Sequence, residues 1–362
     1  MANEVTYQSS LTELESKFQK NWSNIRKARE AAFEKREEIK ALLQANGQRF
    51  VSGDTSLVVF GSLARDEWTP KSDLDWGYLV DGQAHPEHLT VAQKMADLFE
   101  QHKLGEKPGP TGVFGNLIFS HELVHQIGGE NDTNSNTTRR LLLLLESRPI
   151  GLGDAYNRVI RVILERYFEH DEKLFDRKLS RFRVPRFLLN DIVRFWRTMA
   201  VDFATKQRER AGVGWALRNV KLRMSRKLIF ASGLLICFSC HARNLKIIYE
   251  IPERPAGVLI EYVSSSYANQ TPLEILAAAL MHYEISKETV GDLLDSYDSF
   301  LECLSNVNHR EHLTNLSYDA SKNDKVFQQM REIGHHFQRG LDRLFFEEND
   351  QLRKLNLQYG IF

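Results

Sequence analysis

The chain has 362 residues, 42% of them hydrophobic and 27% charged, and its 48 lysines and arginines are matched by 48 aspartates and glutamates. Such a composition excludes a disordered chain and leaves no global basic excess to draw the protein onto nucleic acid or an anionic membrane, so any polyanion site must come from local clustering. The length suffices for two domains, each with its own core.

Met1-Ala-Asn-Glu-Val is not a basic segment leading into an apolar one, so no signal peptide is expected and the expected location is cytoplasmic. From Leu11 to Ala45 a highly charged stretch places Leu14, Phe18, Trp22, Ile25, Phe33, Ile39 and Leu42 at helical spacing, with Ser10 as N-cap and Gly47 as stop. The spacing predicts one helix or a pair over residues 1–54 that packs on the sheet to follow. It does not keep a heptad, which argues against a coiled coil.

The stretch around which the chain is organised runs from Gly61 to Asp75. Leu57-Val58-Val59-Phe60 is short, β-branched and aromatic, and stops at a glycine; Leu74 to Val80 reads as a second strand. Asp73 and Asp75, one residue apart, point the same way from an extended segment and form a pair able to hold divalent cations. At the Gly61-Ser62 turn the missing side chain lets backbone N–H groups approach phosphate oxygens, with a hydroxyl beside them. One or two Mg²⁺ ions bridging carboxylates and a triphosphate neutralise the charge that develops in phosphoryl transfer, so the predicted chemistry is nucleotidyl transfer. The alternative reading is a polar hairpin loop with solvated aspartates.

This stretch resembles the DNA polymerase β-type nucleotidyltransferase superfamily, in which a Gly-Ser turn precedes an Asp-x-Asp strand. It is most similar to the branch of the nitrogen-signalling uridylyltransferase and the CBS-associated nucleotidyltransferases. Arg65, Glu67, Thr69, Pro70, Ser72, Asp73 and Asp75 fill that branch's pattern. The resemblance implies an α/β catalytic domain over residues 55–150, a mixed sheet flanked by helices, followed by an α-helical domain over residues 151–362 that binds nucleotide or acceptor. It implies catalytic and metal-binding roles for Asp73 and Asp75, phosphate contacts from Gly61 and Ser62, and positive charge from Arg65.

A helix is predicted from Pro86 to His102, a loop from Gly105 to Thr111, and a third strand from Gly112 to His121. The superfamily usually places another carboxylate near this strand. Glu122 is the nearest, as a third metal ligand or as a solvent-facing strand end. Thr111-Gly112-Val113-Phe114-Gly115 is similar to a Gly-Gly-Val-Met-Ala-like stretch of the same relatives. Gly128 to Thr137 is polar and turn-rich and is expected to be a mobile loop at the mouth of the site. The following leucine run resembles a segment of those relatives, with Glu146, Arg148, Gly153 and Asp154 at matching positions; Arg148 is expected to tie helix to sheet rather than reach a phosphate.

Beyond Ala155 helices dominate: Tyr156–Phe168, Pro185–Lys206, Trp215–Cys240, Pro255–Tyr262, Pro272–His282, Lys287–Leu304 and Lys325–Phe346. Asp191, Arg194, Arg197, Thr198, Asp202 and Lys206 share one half of their helix. Arginines and lysines crowd the next one between Arg218 and Lys227. Many relatives hold the nucleotide's phosphates with a Lys and a Ser on such a helix, an arrangement that Lys221 and Ser225 resemble; the other reading is a solvated face paired with acids. Cys237 and Cys240 lie in an apolar run shorter than the roughly 20 residues a spanning helix needs, and without a second ligand pair they read as helix core, so no membrane partner is expected. His309 and His312, like His335 and His336, fit no ligand motif. The expected substrate is an NTP and the expected acceptor a protein or nucleic acid; the rivals are a cyclic or linear oligonucleotide synthase and a nucleotide-binding regulator without catalysis.

Overall fold

A computed structural model describes residues 9–46, 50–105, 114–169, 174–176, 181–209, 213–242 and 255–360. Two N-terminal helices, α1 (Ser10–Phe18) and α2 (Ser23–Ala45), precede β1 (Thr55–Phe60), the single turn α3 (Gly61–Ala64) and β2 (Trp76–Val80). Then come α4 (Pro86–Gln101), β3 (Asn116–Phe119), α5 (Ser120–Val124), α6 (Asn134–Leu145), β4 (Ser147–Ile150) and α7 (Asp154–Glu169). The sheet order is β3-β2-β1-β4, with β2 antiparallel to β1 and Val59 opposite Trp76, β4 antiparallel to β1, and β3 parallel to β2. This is the mixed sheet flanked by helices that the motif predicts.

Side chains of β1 alternate between two apolar layers because strand residues face opposite sides in turn. Leu57 and Val59 join Tyr78, Val80 and the helical residues Ile39, Met95 and Phe99. Val58 and Phe60 join Leu79, Ile118 and the leucines of α6, and that second layer runs on through α7 into the C-terminal helices. The sheet is therefore covered by α2 and α4 on one face and by α6 and α7 on the other, with the helical region packed behind them.

Two short strands, β5 (Phe175–Asp176) and β6 (Arg181–Phe182), pair beyond α7, too brief to show an alternating pattern in the sequence. The helical region follows: α8 (Arg186–Glu209), α9 (Trp215–Lys221), a π-helical turn (Leu222–Arg226), α10 (Lys227–Ala242), α11 (Pro255–Asn269), α12 (Pro272–His282) and α13 (Lys287–Val290). It ends with α14 (Ser296–Ser305), α15 (Val307–Asn315), α16 (Lys325–Asp342) and α17 (Asp350–Leu355). Cys237 and Cys240 are fully buried in α10. No helix among the described residues is long and apolar enough to cross a membrane.

Of the two alternatives for the N-terminal segment, the structure has the pair of helices, broken at Gln19, whose φ of 52° lies in the left-handed region. Several other local expectations change. The segment's attachment is shared: Trp22 Nε1 donates to Asp295 at 2.8 Å, and the backbone N–H of Ile25 to Asp298 at 2.9 Å, while only the later turns of α2 lie under the sheet. The strand after the motif begins at Trp76 rather than Leu74. Most of the loop predicted from Gly105 to Thr111 lies outside the described residues, as do Gly112 and Val113 of the third strand.

The polar stretch Gly128–Thr137 is neither loose nor at the site. Thr133 caps α6 by accepting from the Asn136 N–H, so the stretch's last four residues are helical. Asp132 accepts from both terminal nitrogens of the fully buried Arg140, at 3.1 and 2.8 Å. Arg140 also donates to Asp191 at 3.0 Å and to Tyr167 Oη at 2.8 Å, which ties α6, α7 and α8 together. Breaking a buried ion pair by removing one partner leaves an uncompensated charge. Arg140→Leu is expected to cost about 3–5 kcal/mol of unfolding free energy, read by chemical denaturation; a loss within the noise of that measurement would deny the cluster its structural role.

Candidate active site

β1 delivers the chain to Gly61 with Phe60 facing Asp75: the Phe60 N–H donates to the Asp75 carbonyl at 2.9 Å. Gly61 has φ +64°, and a methyl there would stand 2.9 Å from Asp75 Oδ2. Both constraints require glycine, and they seat the Asp75 carboxylate directly against the Gly-Ser turn. Leu74 and Trp76 are buried in the core while Asp73 is exposed and Asp75 partly so, which is the alternation the sequence implies, placed on the lead-in to β2.

The turn before the aspartates is held at three points. Ser72 N–H donates to the Thr69 carbonyl at 3.1 Å, Thr69 N–H to Ser72 Oγ at 3.2 Å, and Lys71 takes φ +63°. Arg310, buried on α15, donates to Thr69 Oγ1 at 3.0 Å and to the Lys71 carbonyl.

One narrow cleft of about 70 Å³ is lined by Gly61, Ser62, Arg65, Asp73, Asp75, Lys221 and Ser225. The sequence-derived candidates of the motif thus meet the Lys-Ser pair that lies some 150 residues later, with Arg226 and Arg310 beside them. Lys221 immediately precedes the π-helical turn and Ser225 lies within it, where the wider turn re-aims side chains. Ser225 Oγ donates to the Lys221 carbonyl at 3.2 Å. Among the described residues Lys221 Nζ has no hydrogen bond or ion pair. Burial, then the charge of Arg310, lowers its pKa to about 8.

Asp73 and Asp75 likewise have no hydrogen-bonded or ion-paired side chain among the described residues. Burial and the neighbouring Asp73 push the Asp75 carboxyl up to about 7. Two adjacent carboxylates without a cation are a donor set suited to a hard divalent ion. No group of three or more His, Cys, Asp or Glu is placed to hold a metal among the described residues, so an ion here draws its remaining oxygens from elsewhere.

Glu122 is not part of this arrangement. It lies on α5, half exposed, and accepts from Arg139 at 3.5 Å, away from the residues that line the cleft. β3, which pairs with β2 from Gly77 opposite Asn116 to Val80 opposite Phe119, carries no carboxylate where the superfamily resemblance calls for one.

Arg65 is turned to another use. Its guanidinium donates through Nε to Glu67 at 2.9 Å and through Nη1 to Glu146. Burial opposes its charge, but Glu67 and Glu146 outweigh that and raise its pKa. Glu146 also accepts from Arg226 at 2.5 Å, and the buried Tyr297 hydroxyl donates to Glu67 at 2.6 Å. The Arg-x-Glu of the motif is thus a buried ion pair beneath the cleft. Arg148 donates to the Ala64 carbonyl at 3.0 Å and to Asp66 at 3.4 Å, which is the tie between β4 and the motif turn that its position predicts. Sequence reasoning missed Arg310, because α15 is a polar run opening Asn306-Val-Asn-His and no local pattern marks it.

Residues 39–107 match the family model of the nucleotidyltransferase domain. That segment carries the end of α2, β1, the Gly-Ser turn, both aspartates, β2 and α4. No curated protein matches the chain.

Gly61→Ala is expected to abolish Mn²⁺ binding in titration calorimetry while the circular dichroism spectrum stays that of wild type, because the added methyl displaces Asp75 rather than the core. A second expectation concerns pH. Asp75 titrates near 7 when folded and near 3.8 when unfolded, so between these values the folded state holds a proton that the unfolded state has released. Stability of the metal-free protein therefore falls as pH rises through that window, by roughly 1.4 kcal/mol per unit of displacement at most. Metal-free Asp75→Asn should melt above wild type at pH 8, and the gap should close at pH 4; a gap independent of pH would contradict the burial of an unpaired carboxyl.

Proposed function

We propose that the protein is a Mg²⁺-dependent nucleotidyltransferase that moves an NMP from an NTP to an acceptor and releases pyrophosphate. The observation that carries this is the cleft in which Asp73 and Asp75, without an ion-paired side chain among the described residues, lie with the Gly61-Ser62 turn and Lys221. In this reading backbone N–H groups and the hydroxyl of the turn hold the β- and γ-phosphates, and Lys221 and Arg226 offset charge on the departing pyrophosphate. Asp73 and Asp75 would hold Mg²⁺, which supplies charge neutralisation at the reacting phosphate. The attacking oxygen or nitrogen of the acceptor forms its bond to the α-phosphorus as the bond to the bridging oxygen breaks.

Arg65, Glu67, Thr69, Pro70 and Ser72 support a place near the signal-protein uridylyltransferase branch, with Arg65 acting through Glu146 on Arg226 rather than on phosphate. The lack of a carboxylate on β3 favours a second reading, a nucleotide-binding regulator that does not turn over. Labelled NTPs with Mg²⁺ and a lysate or nucleic-acid acceptor separate the two. Label transfer by wild type, falling at least about a thousandfold in Asp73→Asn and Asp75→Asn, supports the transferase; Mg²⁺-dependent NTP binding without transfer to any acceptor supports the regulator. Equal transfer by all three proteins would refute both.

A further inference from the structure

The helix that brings Lys221 and Arg226 to the cleft carries a second basic face. Arg223 and Lys227, one turn apart, point toward α16. Gly334 of α16 lies against the Arg223 side chain, where an added Cβ would stand 3.7 Å from the Arg223 side-chain carbons. Lys227 Nζ donates to Gln338 Oε1. Arg331 is one turn before Gly334 on the same face of α16, beside Arg223. Each of these cations is held by a neutral amide: Arg223 donates to Asn219 Oδ1 at 3.0 Å and Arg331 to Gln328 Oε1 at 3.3 Å. None of the three forms an ion pair among the described residues. Their charges oppose one another: burial, then Arg331, lowers the Arg223 pKa, and burial, then Arg223, lowers that of Lys227.

Three like charges that are half-buried, close and not ion-paired among the described residues, with Asp342 only partly offsetting Lys227, raise the free energy of the unliganded protein, and a bound polyanion relieves it. The shallow depression that continues the patch is lined by Lys325, Gln328, Gln329, Arg331, Glu332 and His335 among others, with no apolar side chain and with one acid. A protein partner would want an aromatic or aliphatic anchor at such a place; a sugar-phosphate backbone wants cations and amide donors. The patch also starts within a helical turn or two of the cleft, about 9 Å of axis separating Lys221 from Lys227 at 1.5 Å per residue.

We propose that Arg223, Lys227 and Arg331 bind the phosphodiester backbone of a single-stranded polynucleotide and feed its end toward the Asp73/Asp75 cleft. The binding itself stands on the patch; only its purpose, presenting the acceptor, rests on the nucleotidyltransferase reading.

The test is fluorescence anisotropy of labelled single-stranded RNA and DNA 20-mers with the full chain, wild type against Arg223→Gln/Arg331→Gln, over a range of salt. Wild type should bind one or both strands, and the double variant at least tenfold more weakly, with a salt slope shallower by about 1.4, as two lost phosphate contacts require. Equal binding by variant and wild type overturns the proposal, as does preference of wild type for polyglutamate over both oligonucleotides, which would mark an acidic protein partner. Should the double variant not fold, Arg331→Gln alone serves, with a loss of about threefold or more expected and no loss overturning the proposal. Mg²⁺·tripolyphosphate binding, measured alongside, reports on the cleft: it should be unchanged in Arg331→Gln and lost in Asp73→Asn. Oligonucleotide binding by wild type without tripolyphosphate binding would therefore sink the transferase reading and leave the patch standing.

Discussion

The site depends on a carboxylate that two arginines share. Glu146 lies at the end of α6, fully buried, and accepts from Arg65 on the motif turn and from Arg226 on the helix that bears Lys221. A charge so placed would be intolerable alone, and either arginine alone would leave part of it unmet. Together they fix the distance between the Gly-Ser turn and the π-helical segment. Tyr297 and Arg310 repeat the device from α14 and α15, each meeting a different residue of the motif loop. The helical region is thus one wall of the cleft rather than an appendage to the sheet.

Against that fully paired underlay, the cleft surface is deliberately unbalanced. Asp73, Asp75 and Lys221 lack partners among the described residues, and burial moves Asp75 and Lys221 toward their neutral forms. In its charged form each would gain from a counter-ion that offset its own desolvation, a cation at Asp75 and an anion at Lys221. The contrast between satisfied and unsatisfied charge within one cleft is what separates Arg65 from Lys221, although the sequence offers both as cations near phosphate.

The strand-turn-strand core of the fold was legible because its signals are local: β-branched runs, a glycine stop and a period of two across Asp73-Leu74-Asp75-Trp76. Lys221 and Ser225 were reachable only through the family resemblance, since nothing within the chain links positions so far apart. Arg310 and the pairing of Arg65 were not legible, because buried salt bridges between distant segments leave no periodic trace. The stretch Gly128–Thr137 misled for a related reason: its polar residues look solvated, yet Asp132 is the partner of a buried arginine.

The π-helical turn at Leu222–Arg226 has a consequence for how such a site can arise. A π-turn accommodates one extra residue without breaking the helix on either side, so a single-codon insertion suffices to create it. Each residue turns an α-helix by about 100°, and the wide turn takes up the extra one locally, so the helix on either side keeps the face it packs with. At its end Arg226 meets Glu146 and Lys227 meets α16. Loss of one residue from the turn would return it to α-helix with α10 still seated, and the side chains displaced would be those of the turn itself, Ser225 among them.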